Sequence, residues 1–209
     1  ERAITIAIAR FEDMMALRRL NAELQTEITA RVQAEERLQH RLELERIVTA
    51  ISTNFVNLAA VELDGAINRA LQAIGEVAGA DRSYLFLFFD NGIKMDNTHE
   101  WCATGTEPEF ERLKGVPVDA LPWWMEKLER FENIHVPRVA DLPPEASTEK
   151  ETLQSQAIQS LIVVPLIHAR ALVGFLGFDS VRAEKTWSDE DAALLRMVGG
   201  IFVSALEHR

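Results

Sequence analysis

The sequence predicts an α+β fold: an antiparallel sheet flanked by helices, preceded by a long N-terminal helix. Three observations carry this. Residues 10 to 56 contain no Gly and no Pro and are rich in Glu, Arg, Leu, Ala and Gln, all good helix formers. Strand signals follow further on: "SYLFLFF" is aromatic and apolar on both parities, and "IKMDNTHEW" alternates. Finally, "SLIVVPLI" and "ALVGFLGFDS" are joined only by His168, Ala169 and Arg170, which predicts an antiparallel hairpin.

Composition sets the outer bounds. The 209 residues suit one domain, or one domain with an appendage, and 47% hydrophobic residues suffice for a core. The chain carries a formal charge of −11; residues 1 to 50 hold 8 basic and 9 acidic side chains and the remainder 14 and 24. An acidic globular part repels phosphate backbones, so nucleic acid is not an expected partner. The apolar run from Leu161 to Ile167 is far shorter than the ~20 residues a bilayer requires, so direct membrane insertion is not expected. The single cysteine, Cys102, excludes an internal disulfide, fits a reducing compartment and points to a cytoplasmic location.

The N-terminal helix carries a heptad pattern. Leu17, Leu24 and Leu38 share one seam position, and Met14, Ile28 and Leu42 the other, as in a coiled coil. Asn21, Arg31, Glu35 and Glu45 weaken the same seam and set register. After Leu44 the stripe widens to Ile47, Val48, Ile51, Phe55 and Leu58, a face for packing on a domain. A second helix is predicted from Glu62 to Val77, with Gly79 ending it. After the first strand, Asp90-Asn91-Gly92 makes a turn. In the second strand Met95, Asn97, His99 and Trp101 are predicted inward, and Lys94, Asp96, Thr98 and Glu100 solvated. Pro122 opens a short helix bearing Trp123 and Trp124. "NIHV" is a brief strand, "PPEASTEKETLQSQ" a loop and helix, and Ser188 with Asp191 resembles a capping box ahead of the last helix.

"ADRSYLFLF", "HEWCATGTEP", "IQSLIVVPL" and "GFLGFDSVRAEKTWSDEDAALL", in that order, resemble a GAF domain of bacterial sensor histidine kinases or diguanylate cyclases. "ELQTEITARVQAEERLQ" is similar to the signalling helices that precede such modules. The resemblance divides the chain into a signalling helix, 1–43, and a GAF domain, 44–209. It implies a six-stranded antiparallel sheet with a terminal helix bundle on one face, which forms a homodimer, and a ligand pocket on the other. It also implies an output domain beyond Arg209. Cyclic-nucleotide-binding members resemble an Asn-Lys pair, a Phe and an Asp-Glu; here Asp179-Ser180, Trp187, Asp191 and Ala192 stand at those places, which argues against cyclic GMP. Bilin-binding members attach the chromophore through a Cys near the second short helix, and 149–157 has none.

The candidate ligand-binding residues are Asn97, His99, Trp101, Trp123, Trp124, Arg138 and Ser180. Asn97 and His99 form an inward polar pair that must find partners in neighbouring loops or in a ligand. Trp101 shares their predicted face. One of the adjacent tryptophans on the short helix is expected in the core and the other over a pocket or at a partner. Arg138 offers donors to an anion or a surface ion pair. Ser180 is expected to contact ligand, and Asp179 or Arg182 to order the following loop by hydrogen bonds or a salt bridge. No metal or catalytic constellation stands out, and neither His40 nor His208 is followed by a phosphoacceptor signature. The expected function is a sensory input module that binds a small molecule, its identity and any cofactor unassigned, and relays the signal through a dimeric helix bundle. The alternative is a ligand-free GAF module that dimerises and relays.

Overall fold

The structure, a computed structural model, describes residues 2–56 and 58–207; His208 lies outside them. Two compact units divide the chain, Glu1–Glu45 and Arg46–Arg209. The first is helical, the larger part of α1 (Arg2–Val56). Its predicted seam residues Leu17, Leu24, Ile28, Leu38 and Leu42 are all exposed in the single chain.

The second unit is built on a six-stranded antiparallel sheet of order β3-β2-β1-β6-β5-β4. The strands are β1 (Arg82–Phe89), β2 (Lys94–Cys102), β3 (Val116–Pro117), β4 (Ile134–Val136), β5 (Ser160–His168) and β6 (Ala171–Ser180). The β1–β2 turn places Asp90, Asn91 and Gly92 at positive φ, and the β5–β6 turn does the same with Ala169 and Arg170. Two such residues in succession give the twist a tight hairpin needs. The two-residue β3 follows an irregular loop and carries no periodic signal of its own.

One sheet face is covered by α2 (Leu63–Ala78) and α5 (Asp189–Glu207), against which the last turns of α1 pack. Ile67, Leu71 and Ile74 of α2 are fully buried at helical spacing. Gly79 ends that helix in the left-handed region (φ 59°), its N–H donating to the Glu76 carbonyl while Ala80 N–H reaches Gly75. The capping box forms as predicted: Asp191 N–H donates to Ser188 Oγ at 3.1 Å, and Ser188 N–H to Asp191 Oδ2 at 2.8 Å. Phe55 meets Phe202 with ring centroids 5.7 Å apart. The opposite face is covered by α3 (Pro122–Glu129), α4 (Ser147–Ser155) and short 3-10 turns.

One irregularity decides which side chains reach which face. Along β1 and β2, Phe86 pairs with Asn97 but Leu85 pairs with His99. Thr98 is therefore an extra residue, a β-bulge, with its hydroxyl donating to the Leu85 carbonyl at 3.1 Å. Alternation reverses there. Met95 and Asn97 share the α3/α4 face with Phe86, whereas His99 and Trp101 share the helix-bundle face with Leu85 and Ser83. Glu100, opposite Tyr84, joins the α3/α4 face.

Candidate functional site

A cavity of about 250 Å³ lies between the sheet and the α3/α4 layer. This is just under the ~300–1,000 Å³ typical of small-molecule pockets. β1 and β6 build its apolar floor from Phe86 and Phe175, stacked with centroids 4.6 Å apart. Trp124 of α3 closes over them, 6.0 Å from the Phe175 ring. Met95, Leu121, Leu153 and Ile158 complete the apolar wall. Gly177 has a definite role in the floor. A Cβ there would lie 2.7 Å from the Tyr84 ring, so only glycine lets that ring lie flat across β6.

The cavity also holds a set of buried polar groups from separate elements. Arg82 opens β1, Asn97 and Glu100 lie on β2, Glu149 is in the first turn of α4, and Asp179 is near the end of β6. Glu149 Oε1 accepts the backbone N–H groups of Trp123 (2.9 Å) and Trp124 (3.2 Å). It thereby caps the free N-terminus of α3, where the helix end favours negative charge. Glu100 accepts from the N–H groups of Glu109 (2.9 Å) and Phe110 (3.0 Å) and from Asn97 Nδ2 (3.2 Å). Tyr84 donates its hydroxyl to Asp179 Oδ1 at 2.8 Å. Arg82 donates from Nη2 to the Gln156 carbonyl at 2.8 Å.

Burial governs the electrostatics. It pushes the Asp179 carboxyl up to about 7, against the pull of Arg82 and the Tyr84 hydroxyl. The Glu100 carboxyl is also raised by burial, offset in part by its backbone donors and Arg82. Tyr84 is raised well above its ordinary value by burial and then by the Asp179 charge.

Among the described residues, five buried side-chain polar atoms lack a hydrogen-bond partner: Arg82 Nε, Asn97 Oδ1, Trp124 Nε1, Glu149 Oε2 and Trp187 Nε1. The first four belong to residues lining this cavity. Trp187 stands elsewhere, stacked on Phe178 at 5.7 Å. Buried polar atoms are nearly always paired, and each orphan costs ~1–3 kcal/mol. Two donors and two acceptors are thus left unpaired on residues that line one cavity.

The cavity gathers Asn97 and Trp124 from the sequence-predicted residues and leaves out the rest. His99 and Trp101 are corrections, turned onto the opposite face by the Thr98 bulge. His99 Nε2 lies 3.3 Å from Asp64 Oδ1 of α2, and the Trp101 ring packs against Gly75 of α2. Trp123 is half-buried beside the α3/α4 core with Lys127 Nζ 5.0 Å from its ring centroid, and does not line the cavity. Arg138 pairs with Glu184 at 2.8 Å. Ser180 is a correction, and of the two candidates for ordering the loop Asp179 is not the one that does so. The Ser180 hydroxyl donates to the Ala183 carbonyl at 2.7 Å, while Asp179 faces the cavity with Phe175.

The loop after β6 is ordered by Arg182, the other expected candidate, together with Asp81. Its carboxylate accepts the N–H groups of Val181 and Arg182 and pairs with Arg182 Nε at 3.1 Å. Burial alone raises that carboxyl, but the backbone donors of Arg182 and Val181 and the Arg182 charge outweigh it and hold it below its ordinary value. Cys102, the only cysteine, does not line the cavity, and burial pushes its thiol up to about 12. Among the described residues no group of three His, Cys, Asp or Glu could hold a metal ion, and no helix is long and apolar enough to cross a membrane.

Sequence reasoning missed Arg82, Glu100, Glu149 and Asp179. A signal existed for one: an Arg opening an otherwise apolar strand, with both faces covered, has to be buried.

Comparison with known proteins fits this architecture. The methanogenesis regulatory histidine kinase FilI of Methanothrix harundinacea is 29% identical over 174 residues, 78% of this chain and 19% of that protein. Similar solved structures include the phycocyanobilin-bound GAF domain from a cyanobacterial phytochrome, with TM-score 0.62 and 20% identity over 81% of this chain and 94% of that one. The chromophore-binding domain of the bacteriophytochrome RpBphP3 from R. palustris gives TM-score 0.67 and 14% identity over 81% of this chain and 62% of that one. The family profile described as GAF domain matches residues 62–206. Fold, topology and sequence agree, and the chain belongs to the GAF domain family.

Proposed function

We propose that this chain is the sensory input module of a signal-transduction protein, taking a small molecule in the cavity under α3 and α4 and relaying its presence through a dimeric helix bundle to an output domain. The observation that carries the reading is the set of four unpartnered polar atoms on residues lining one largely apolar cavity. An empty relay domain gains nothing from leaving them unpaired. No thiol among the described residues lines the cavity, so the molecule is held there without a thioether link. Native mass spectrometry of the protein purified from its own host tests the reading. A retained small molecule, lost in Trp124→Ala, is the expected outcome. No retained molecule and no thermal shift with any metabolite would favour the ligand-free relay.

The partner in the relay is a second copy of the chain, joined in parallel through the exposed seam of α1 and the terminal helices, in the cytoplasm. Light scattering should give a dimer mass at micromolar concentration. Arg31 and Glu35 interrupt the seam between Leu24–Ile28 and Leu38–Leu42, and charges at a coil interface lose hydration. The double variant Arg31→Leu/Glu35→Leu should melt higher and, in the full-length protein, give an output that no longer follows the stimulus. A switch needs two arrangements separated by only a few kcal/mol. An unchanged melting temperature with a normal response would make α1 a passive spacer.

A further inference from the structure

The cavity's charges are not equally committed. Of its carboxylates, Glu100 accepts three hydrogen bonds, Glu149 Oε1 holds two backbone N–H groups, and Asp179 holds the Tyr84 hydroxyl. Glu109 is paired with Arg112 at 3.2 Å. Arg82 is the exception. It is only 2% exposed, donates one hydrogen bond to a carbonyl, makes no ion pair among the described residues, and leaves Nε–H without an acceptor. Buried charges are normally paired. A guanidinium without an ion-pair partner matches a planar two-oxygen anion in a way that no point charge does. Asp179 is a weak competitor for that charge, since burial keeps its carboxyl partly neutral near pH 7.

Resting on the cavity being a ligand site, we propose that it takes a small carboxylate with an apolar body, its carboxylate seated on Arg82 and a hydroxyl or N–H group on its body donating to Asn97 Oδ1 or Glu149 Oε2. The stacked Phe86 and Phe175 rings and Trp124 hold the body between these ends. The molecule thus supplies an anion to the unpaired guanidinium and a donor to the unpaired oxygens.

Calorimetric titration of the full chain tests this with two matched pairs, para-hydroxybenzoate against para-hydroxybenzamide and hexanoate against hexanamide, with tyramine as a cationic probe. The expected result is that a carboxylate binds about tenfold or more tighter than its amide, and that Arg82→Gln removes the preference. If Arg82→Gln does not fold by circular dichroism, Trp124→Phe, which deletes one N–H and keeps the ring stack, should still weaken carboxylate binding. Tighter binding of an amide or of tyramine would overturn the carboxylate assignment and leave the cavity a ligand site. Binding of none of the five would also overturn it; native mass spectrometry then separates the two readings, a retained molecule keeping the cavity as a ligand site and its absence removing that as well.

Discussion

The two faces of the sheet are made by the same six strands and differ in how completely they are closed. On the helix-bundle face Leu85, Val164, Leu176, Phe178, Leu195 and Phe202 are all inaccessible, and the buried Ser83 hydroxyl is bonded to the Leu71 carbonyl at 2.7 Å. On the α3/α4 face the covering elements are short and a cavity remains, lined by residues with four of the five unpartnered buried polar atoms. Both faces bury an apolar core, and the helix-bundle face is the more completely closed. The other gives up packing and polar pairing, and such a loss is expected where a site must stay open.

The largest difference should appear in core truncations. Leu176→Ala on the closed face should cost ~2–5 kcal/mol, the range for a fully buried leucine in tight packing. Leu153→Ala borders the cavity and should cost about 2 kcal/mol or less, because its side chain already lacks neighbours on one side. Urea unfolding compares them directly; equal costs would mean that the two faces are packed alike.

Next is the Asp179 charge. Its folded carboxyl sits at about 7 against an ordinary 3.8. A raised carboxyl stabilises the fold fully below its ordinary value, and that contribution is lost as pH rises towards 7. The groups facing it are Arg82, Tyr84, Glu100 and Asp81. Asp179→Asn, which can still accept the Tyr84 hydroxyl, should therefore gain on the wild type between pH 4 and pH 8, by on the order of 1–3 kcal/mol. Melting curves across that range measure it. A gap that narrows with pH would show that Arg82, rather than burial, dominates the carboxyl.

The smallest and sharpest contrast lies two residues apart on β2. Asn97→Ala should weaken binding of para-hydroxybenzoate by about three- to tenfold, the loss of one hydrogen bond. His99→Gln should leave it unchanged, since His99 faces α2. Equal losses in titration would place both residues on one face and remove the bulge argument.

Much of the fold was legible because its signals are local. Gly79, the Asp90-Asn91-Gly92 turn, the His168–Arg170 connection and the Ser188/Asp191 box each act within a few residues, and each closes its element where the residue type requires. The site was less legible. Strict alternation put His99 and Trp101 with Asn97, but Thr98 adds a residue opposite no partner, and nothing in "MDNTHEW" announces it: no glycine or proline marks the place. The bulge is a property of two strands together, stabilised by the Thr98 bond to the Leu85 carbonyl. Glu149 was unreadable for a related reason. Its work is to cap α3, 25 residues earlier in the chain at Trp124, a relation without sequence periodicity.

The Thr98 bulge also gives this strand an unusual mutational grammar. Elsewhere within β2 a deleted residue would shift the register and turn over the faces beyond it, but loss of the single Thr98 codon would not. With Asn97 still opposite Phe86, His99 would stay opposite Leu85 and Glu100 opposite Tyr84, so each side chain would keep its face and the cavity its carboxylate. Thr98 is thus a place on the strand where a triplet can be lost without rewriting the polar end of the cavity.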